Sequence, residues 1–334
     1  MPADWSKLVI RQAAADHHRI AAALRPLYAG RWLATGASKG GMTATYFRRF
    51  YPDDVHASVP YVAPHSASAA DPRYAGFLEQ VGPADCRDKL KAFQRALLAQ
   101  RDAIETRMTA SGTPFAKLGL DVAFEHAVIE LRFGFWQYGS AAGCAMLPAP
   151  TATADQLYTG FDRVAQVSMY GDADIDAFGP YYYQATTQLG APGFTEPHLL
   201  DLLRHAAEYG PLPYCPTGVT VPPFDAAAMP DVGAWLAASG ERFLFIYGEN
   251  DPWSAGAFPL PDAARDNHKL VVPAGNHGSG ILDLPEPART EALGAISRWS
   301  GVTAVPAAVT LPHRAIVELR RRPGPLPHLR PDVE

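Results

Sequence analysis

The run Arg31-Trp32-Leu33-Ala34-Thr35-Gly36-Ala37-Ser38-Lys39-Gly40-Gly41-Met42 constrains this chain more than any other. It reads as a short apolar strand, a Gly-x-Ser-x-Gly turn and the start of a helix. Small residues on both sides of the serine permit a tight turn that holds the Ser38 hydroxyl clear of the sheet. A backbone bent so sharply at a non-glycine residue costs on the order of 1–3 kcal/mol, which the flanking strand and helix must absorb. Gly-x-Ser-x-Gly alone recurs by chance, so its context has to carry the argument.

Two further strands supply that context. Arg242-Phe243-Leu244-Phe245-Ile246-Tyr247-Gly248 is a compact apolar run followed by Glu249-Asn250-Asp251-Pro252-Trp253. His268-Lys269-Leu270-Val271-Val272-Pro273 is another, closed by Ala274-Gly275-Asn276-His277-Gly278. An acid after one strand and a histidine after the next give the chain order Ser, Asp, His, which is that of the α/β-hydrolases. Serine needs an adjacent base to become a nucleophile, and the base needs a buried acid to fix its tautomer. Ser38 is therefore the candidate nucleophile, His277 the base and Asp251 its partner. Glu249 is the rival acid, but it lies nearer the strand end and lacks the proline that turns the chain after Asp251. The backbone N–H of Lys39, the residue after the nucleophile, is the candidate oxyanion donor.

The fold class expected is α/β: a hydrolase core with a mostly parallel sheet and an inserted helical lid. Residues 1–64 read as the first part of the core, and 5–27 as a helix capped by Asp4 with Val9, Ala13, Ile20, Leu24 and Leu27 inward. Pro60 lies inside the apolar run 57–63 and implies a short or irregular ladder. Residues 65–235 read as the lid. One long helix carries Leu90, Phe93, Leu97, Ile104 and Met108, others carry Leu157, Phe161 and Val164, then Leu199, Leu200 and Leu203, and a Pro-rich return follows at 211–231. Residues 236–301 complete the core, with a last helix burying Leu293, Ile296 and Trp299. Residues 302–334 form a Pro/Arg-rich tail. Such a core normally has several strands ahead of the elbow, and here one helix stands there. The N-terminal strands, and the loop that supplies a second oxyanion donor, would precede residue 1. The edge of strand 31–36 is then expected to be open, and to promote self-association.

Composition narrows the function. A net charge of −5 leaves no basic footprint for nucleic acid. No run approaches the roughly 18 apolar residues of a membrane span, and no leader is visible, which reads as cytoplasmic for the chain as given. Three cysteines, Cys86, Cys144 and Cys215, permit one disulfide and leave one thiol. No cofactor and no metal are expected. His17 and His18 point about 100° apart on a helix and cannot easily share an ion. Asp172, Asp174 and Asp176 imitate the start of a calcium loop, but Ala177 and Tyr183 replace the required Gly and Glu.

Three segments together resemble one family: Ala13-Ala14-Ala15-Asp16-His17-His18-Arg19-Ile20, the elbow Thr35–Thr43, and Arg48-Arg49-Phe50-Tyr51-Pro52-Asp53-Asp54-Val55. The segments Phe135-Trp136-Gln137-Tyr138-Gly139, Tyr247–Trp253 and Gly275-Asn276-His277-Gly278 resemble it too. It is the bacterial secreted tripeptidyl (prolyl tri/tetrapeptidyl) aminopeptidases, serine peptidases with an α/β-hydrolase core and a helical lid. The resemblance covers residues 5 to 301 and assigns Ser38, Asp251 and His277 the roles given above. It implies a peptide substrate with a free N-terminus, release mainly of tripeptides, and proline tolerated before the cleaved bond. It also implies secretion, a leader and an N-terminal half-sheet. Such an enzyme has to hold an ammonium group, for which Glu125 and Glu130 are candidates, while Trp136 and Tyr138 are candidates for the cleft wall. The rivals are an esterase or lipase with the same three residues, and an inactive truncated hydrolase.

Overall fold

The computed structural model describes residues 2–193, 196–259 and 261–302; the tail beyond lies outside the described residues. Among these, six strands form: β1 (Leu33–Ala37), β2 (Ala57–Tyr61), β3 (Ala70–Asp71), β4 (Ala191–Pro192), β5 (Leu244–Gly248) and β6 (His268–Val272). The helices are α1 (Ile10–Leu24), α2 (Lys39–Phe50), α3 (Arg73–Leu78), α4 (Ala84–Ala99), α5 (Arg101–Ala110), α6 (Leu120–Ile129), α7 (Leu131–Tyr138), α8 (Ala154–Ala165), α9 (Asp172–Gln184), α10 (Ala228–Ser239) and α11 (Ala288–Ser300). Strands β1, β2, β5 and β6 pair in parallel in that order, while β3 and β4 form a separate two-residue ladder. This is the mixed, mostly parallel arrangement of an α/β-hydrolase-like fold.

Strand β5 is apolar throughout because both of its faces are covered. Phe243, Phe245 and Tyr247 join Met42, Tyr46 and Phe47 of α2 and Met229, Val232 and Leu236 of α10 on one side. Leu244 and Ile246 meet Ala292, Ala295 and Trp299 of α11 on the other. Each fully buried ring or aliphatic chain there contributes about 1.5–3 kcal/mol, so β5 anchors the sheet. Strand β1 is the contrasting case: it lies at the sheet edge and its residues are half-buried or exposed.

Pro60 has the expected effect on its ladder. Ser58 N–H donates to the Arg242 carbonyl at 3.0 Å and Val62 N–H to that of Ile246 at 2.7 Å. The next donor in that alternation would be residue 60, which is the proline and has no N–H to give. The strand still sits in the middle of the sheet because β1 pairs with it along its whole length, Leu33 opposite Ala57 to Ala37 opposite Tyr61.

Helical expectations need four corrections. Asp4 caps only a short 3-10 turn at Trp5–Lys7, and α1 starts separately at Ile10. Helix α1 buries Ile10, Ala14 and Ala21, leaving Ile20 57% and Leu27 72% exposed. Its inward stripe is thus one residue, about 100°, away from the expected one, because small alanines admit close approach to α2. The long helix through Leu90 and Met108 breaks at Gln100 into α4 and α5, and the bend brings Arg101 into the interior beside Glu125. No helix forms around Leu199–Leu203: Pro197–Leu199 is a single 3-10 turn, and Leu200 is exposed.

Helices α4, α6, α7 and α8 share a core of their own with Leu90, Phe93, Phe124, Trp136 and Phe161. A disulfide from Cys86 of α4 to Cys144 staples this core, and Cys215 is a free thiol. Asp172, Asp174 and Asp176 belong to α9; Asp172 accepts from the Lys117 N–H and Asp176 pairs with its ammonium group. They form no calcium loop. Helix α10 covers the sheet, so the expected lid limit at 235 falls inside a helix of the sheet layer.

Candidate active site

Ser38 joins β1 to α2 at φ 54° and ψ −126°, a conformation that a residue with a side chain adopts only when its surroundings force it. Its N–H donates to the Tyr61 carbonyl on β2 at 2.9 Å, and its own carbonyl accepts from Met42 N–H at 3.0 Å. The glycines around it divide sharply. A Cβ on Gly36 would lie 2.4 Å from the Gly40 carbonyl, and one on Gly41 would lie 2.7 Å from the Ala63 Cβ, yet one on Gly40 would meet nothing within 4 Å. Gly40, the second glycine of the motif, is therefore dispensable sterically, and the packing role belongs to Gly41 just after it. Lys39 opens α2, so its N–H is among those a helix leaves without an internal partner. Burial pushes the Lys39 ammonium below its ordinary pKa.

Asp251 follows β5 and is fully buried. One carboxylate oxygen accepts from Trp253 N–H at 3.1 Å, capping the turn Pro252–Gly256, and the other is 2.7 Å from His277 Nδ1. Burial raises the Asp251 pKa, and the hydrogen bond from His277 opposes that. His277 follows β6, and its Nε2 is buried with no hydrogen-bond partner among the described residues. A Cβ on Gly248 would stand 2.5 Å from the Asn276 carbonyl, so the end of β5 must be bare for the histidine loop to lie against it. Ser38 and His277 Nε2 are not joined by a hydrogen bond. Glu249, the rival acid, is exposed and accepts from Ala274 N–H at 2.7 Å, outside this arrangement. Ser279, beside His277, is buried, and its hydroxyl donates to the Asn276 carbonyl at 2.7 Å.

The helical insertion reaches this point from above. His277 N–H donates to the Gln137 carbonyl at 2.9 Å, and the Asn276 amide donates to that of Gly139 at 3.1 Å. Tyr138 and Trp253 present their rings to the imidazole at centroid distances of 6.2 and 6.1 Å. Of the other expected cleft residues, Trp136 is buried in the helical core against Gly82. Glu125 is fully buried, ion-paired to Arg101, and accepts the backbone N–H groups of Arg204 and His205 at 2.8 and 2.7 Å. With its acceptors occupied it is a structural tie.

Glu130 is different. It lines a cavity of about 140 Å³ together with Gln137, Tyr181, Tyr182, Tyr209, Tyr214 and Trp253. Its carboxylate accepts from the hydroxyls of Tyr170 at 2.7 Å and Tyr209 at 2.9 Å. Tyr170, Tyr209, Tyr214 and Trp253 are scattered along the chain with no common period, so the sequence offered no sign that they converge.

A serine on a strand-to-helix turn, with a histidine gripped by a buried aspartate at the same end of a parallel sheet, defines an α/β-hydrolase-like protein. Within that class the chain belongs to the PS-10 peptidase S37 family, whose profile matches residues 1–318. It is also 44% identical over 309 residues to a prolyl tri/tetrapeptidyl aminopeptidase of Streptomyces mobaraensis. The match takes in 90% of this chain and 65% of that protein, so the chain spans about two thirds of its relative's length.

Proposed function

We propose that this protein is a serine exopeptidase that releases short peptides, mainly tripeptides, from free N-termini and accepts proline before the cleaved bond. Ser38 attacks the peptide carbonyl, His277 takes the proton and returns it to the leaving amine, and Asp251 holds His277. The Lys39 N–H donates to the oxyanion. The observation that carries the reading is the state of the imidazole. With Asp251 accepting at Nδ1, that nitrogen carries the proton, and Nε2 is left as a buried, unpartnered base. That Ser38 and Nε2 share no hydrogen bond fits a nucleophile–base contact that forms only when substrate arrives. The name of the Streptomyces relative supplies the peptide class, and the Cys86–Cys144 disulfide supports an oxidising, extracytoplasmic setting. No helix among the described residues is long and apolar enough to cross a membrane.

The test compares turnover of a free-amino tripeptide anilide ending in proline with that of a short acyl ester, in the wild type and in Ser38→Ala. The expected result is preference for the anilide, and loss of both hydrolysis and fluorophosphonate labelling in the variant. Preference for the ester would favour an esterase, and labelling that survives Ser38→Ala would place the nucleophile elsewhere.

A further inference from the structure

A carboxylate enclosed by protein needs a cation or a dense set of donors, since burying it alone costs several kcal/mol. Asp251 has its histidine, Glu125 has Arg101, and Glu196 has Arg132 at 2.9 Å. Glu130 has two tyrosine hydroxyls, and among the described residues no cationic side chain is among the groups acting on it. Burial lifts its pKa, which the Tyr170 and Tyr209 hydroxyls counter. The rings of Tyr181, Tyr182 and Tyr214 stand within its field as well. Glu130 is thus a buried carboxyl group in an aromatic surround beside empty space. That is a setting in which a cation gains from both the carboxylate and the ring faces.

The cavity is tied to the chemistry by two of its walls. Trp253 lies 6.1 Å from His277 ring to ring and gives its backbone N–H to Asp251; Gln137 takes the His277 N–H on its carbonyl. The indole Nε1 of Trp253 is buried without a partner among the described residues, a donor left over in a residue that lines the same cavity as Glu130. We propose that Glu130 receives the free α-ammonium group of the substrate and that this cavity holds its amino-terminal residue, with Trp253 Nε1 donating to a peptide carbonyl. The proposal rests on the serine-peptidase reading above and deepens it. Three extended residues reach roughly 10 Å, so an anchored amino terminus meters a short peptide to the reacting serine.

The experiment measures kcat/KM for three peptides of equal length: a free-amino tripeptide anilide, its N-acetyl form and its des-amino form. Wild type and Glu130→Gln are compared, and the rate of fluorophosphonate labelling at Ser38 monitors the machinery independently. In the wild type, removing the charge is expected to cost about 10- to 100-fold, the size of one lost charge-assisted hydrogen bond. In Glu130→Gln the free-amino peptide falls by a similar factor, the three substrates become nearly equal, and labelling is unchanged. Unequal substrates with normal labelling in Glu130→Gln would overturn the proposal, while the peptidase reading would stand. Should the variant fold poorly, protection of wild-type Ser38 from labelling decides: equal protection by free-amino and des-amino peptide amides overturns it. So would rapid cleavage of an N-acetyl peptide bearing a lysine, because the pocket would then hold a side-chain cation. Loss of labelling in the wild type itself would instead refute the peptidase reading.

Discussion

The two walls of the candidate cleft solve the same electrostatic problem in opposite ways. On the sheet side, the buried Asp251 is matched at once by His277, 2.7 Å away, and the pair is complete without substrate. On the helical side, Glu130 is held by neutral tyrosines and its charge is unmatched by any cation among the described residues. On the proposed reading the first arrangement prepares a base, and the second leaves a demand for a ligand. The walls also differ in how they are held. The sheet wall relies on continuous apolar packing around β5, while the helical wall adds a covalent staple between Cys86 and Cys144. On the proposed reading, chemistry and recognition are borne by elements with independent supports, so each can be perturbed separately.

The largest effect should come from the sheet wall. Asp251→Asn is expected to leave the fold intact and lower kcat by up to about 10⁴, because Nδ1 loses its acceptor and the wrong tautomer is favoured. Glu249→Gln, at a carboxylate that accepts from the Ala274 N–H away from His277, should be nearly silent in the same assay. Equal losses in the two variants would mean that the pairing with Asp251 is not what prepares the histidine.

Next in size is the staple. Replacing Cys86 and Cys144 together by alanine should reduce stability by about 2–4 kcal/mol, measured as a shift of the denaturant midpoint. As denaturant rises, peptide turnover should fail before fluorophosphonate labelling of Ser38 does, since the helical wall loosens first. Simultaneous failure would show that the two walls unfold as one unit and would blunt the comparison.

The smallest effect separates two adjacent glycines. Gly41→Ala drives a methyl group towards Ala63 and should cost about 1–3 kcal/mol by overpacking. Gly40→Ala meets open space and should be neutral or slightly stabilising, as alanine favours a helix. Thermal unfolding of both variants checks this, and a reversed order would contradict the geometry of the elbow.

How much could be read from the chain depends on the range of the forces involved. The elbow, the two later strands and the Ser, Asp and His placements were legible because each is a local event: a tight turn, an apolar run, a polar residue just past its end. The gap at Pro60 was legible for the same reason, since a missing N–H is a property of one residue. The inward face of α1 was misread by one position, because Ile20 and Leu27 are more apolar than the alanines that pack. Close helix contact rewards small size as well as hydrophobicity.

The residues at 31–42, 244–251 and 268–277 by themselves determined a parallel α/β architecture and the order in which a serine, an aspartate and a histidine leave it. Only tertiary structure decided which carboxylates are already matched and which is not. Glu125 and Glu130 are five residues apart on adjoining helical segments, yet one meets Arg101 across the bend at Gln100 and the other meets tyrosines from distant turns. The cause is physical: the cost of a buried charge is set by what long-range packing places within a few ångströms of it, and that distance is not encoded in any neighbouring stretch of sequence.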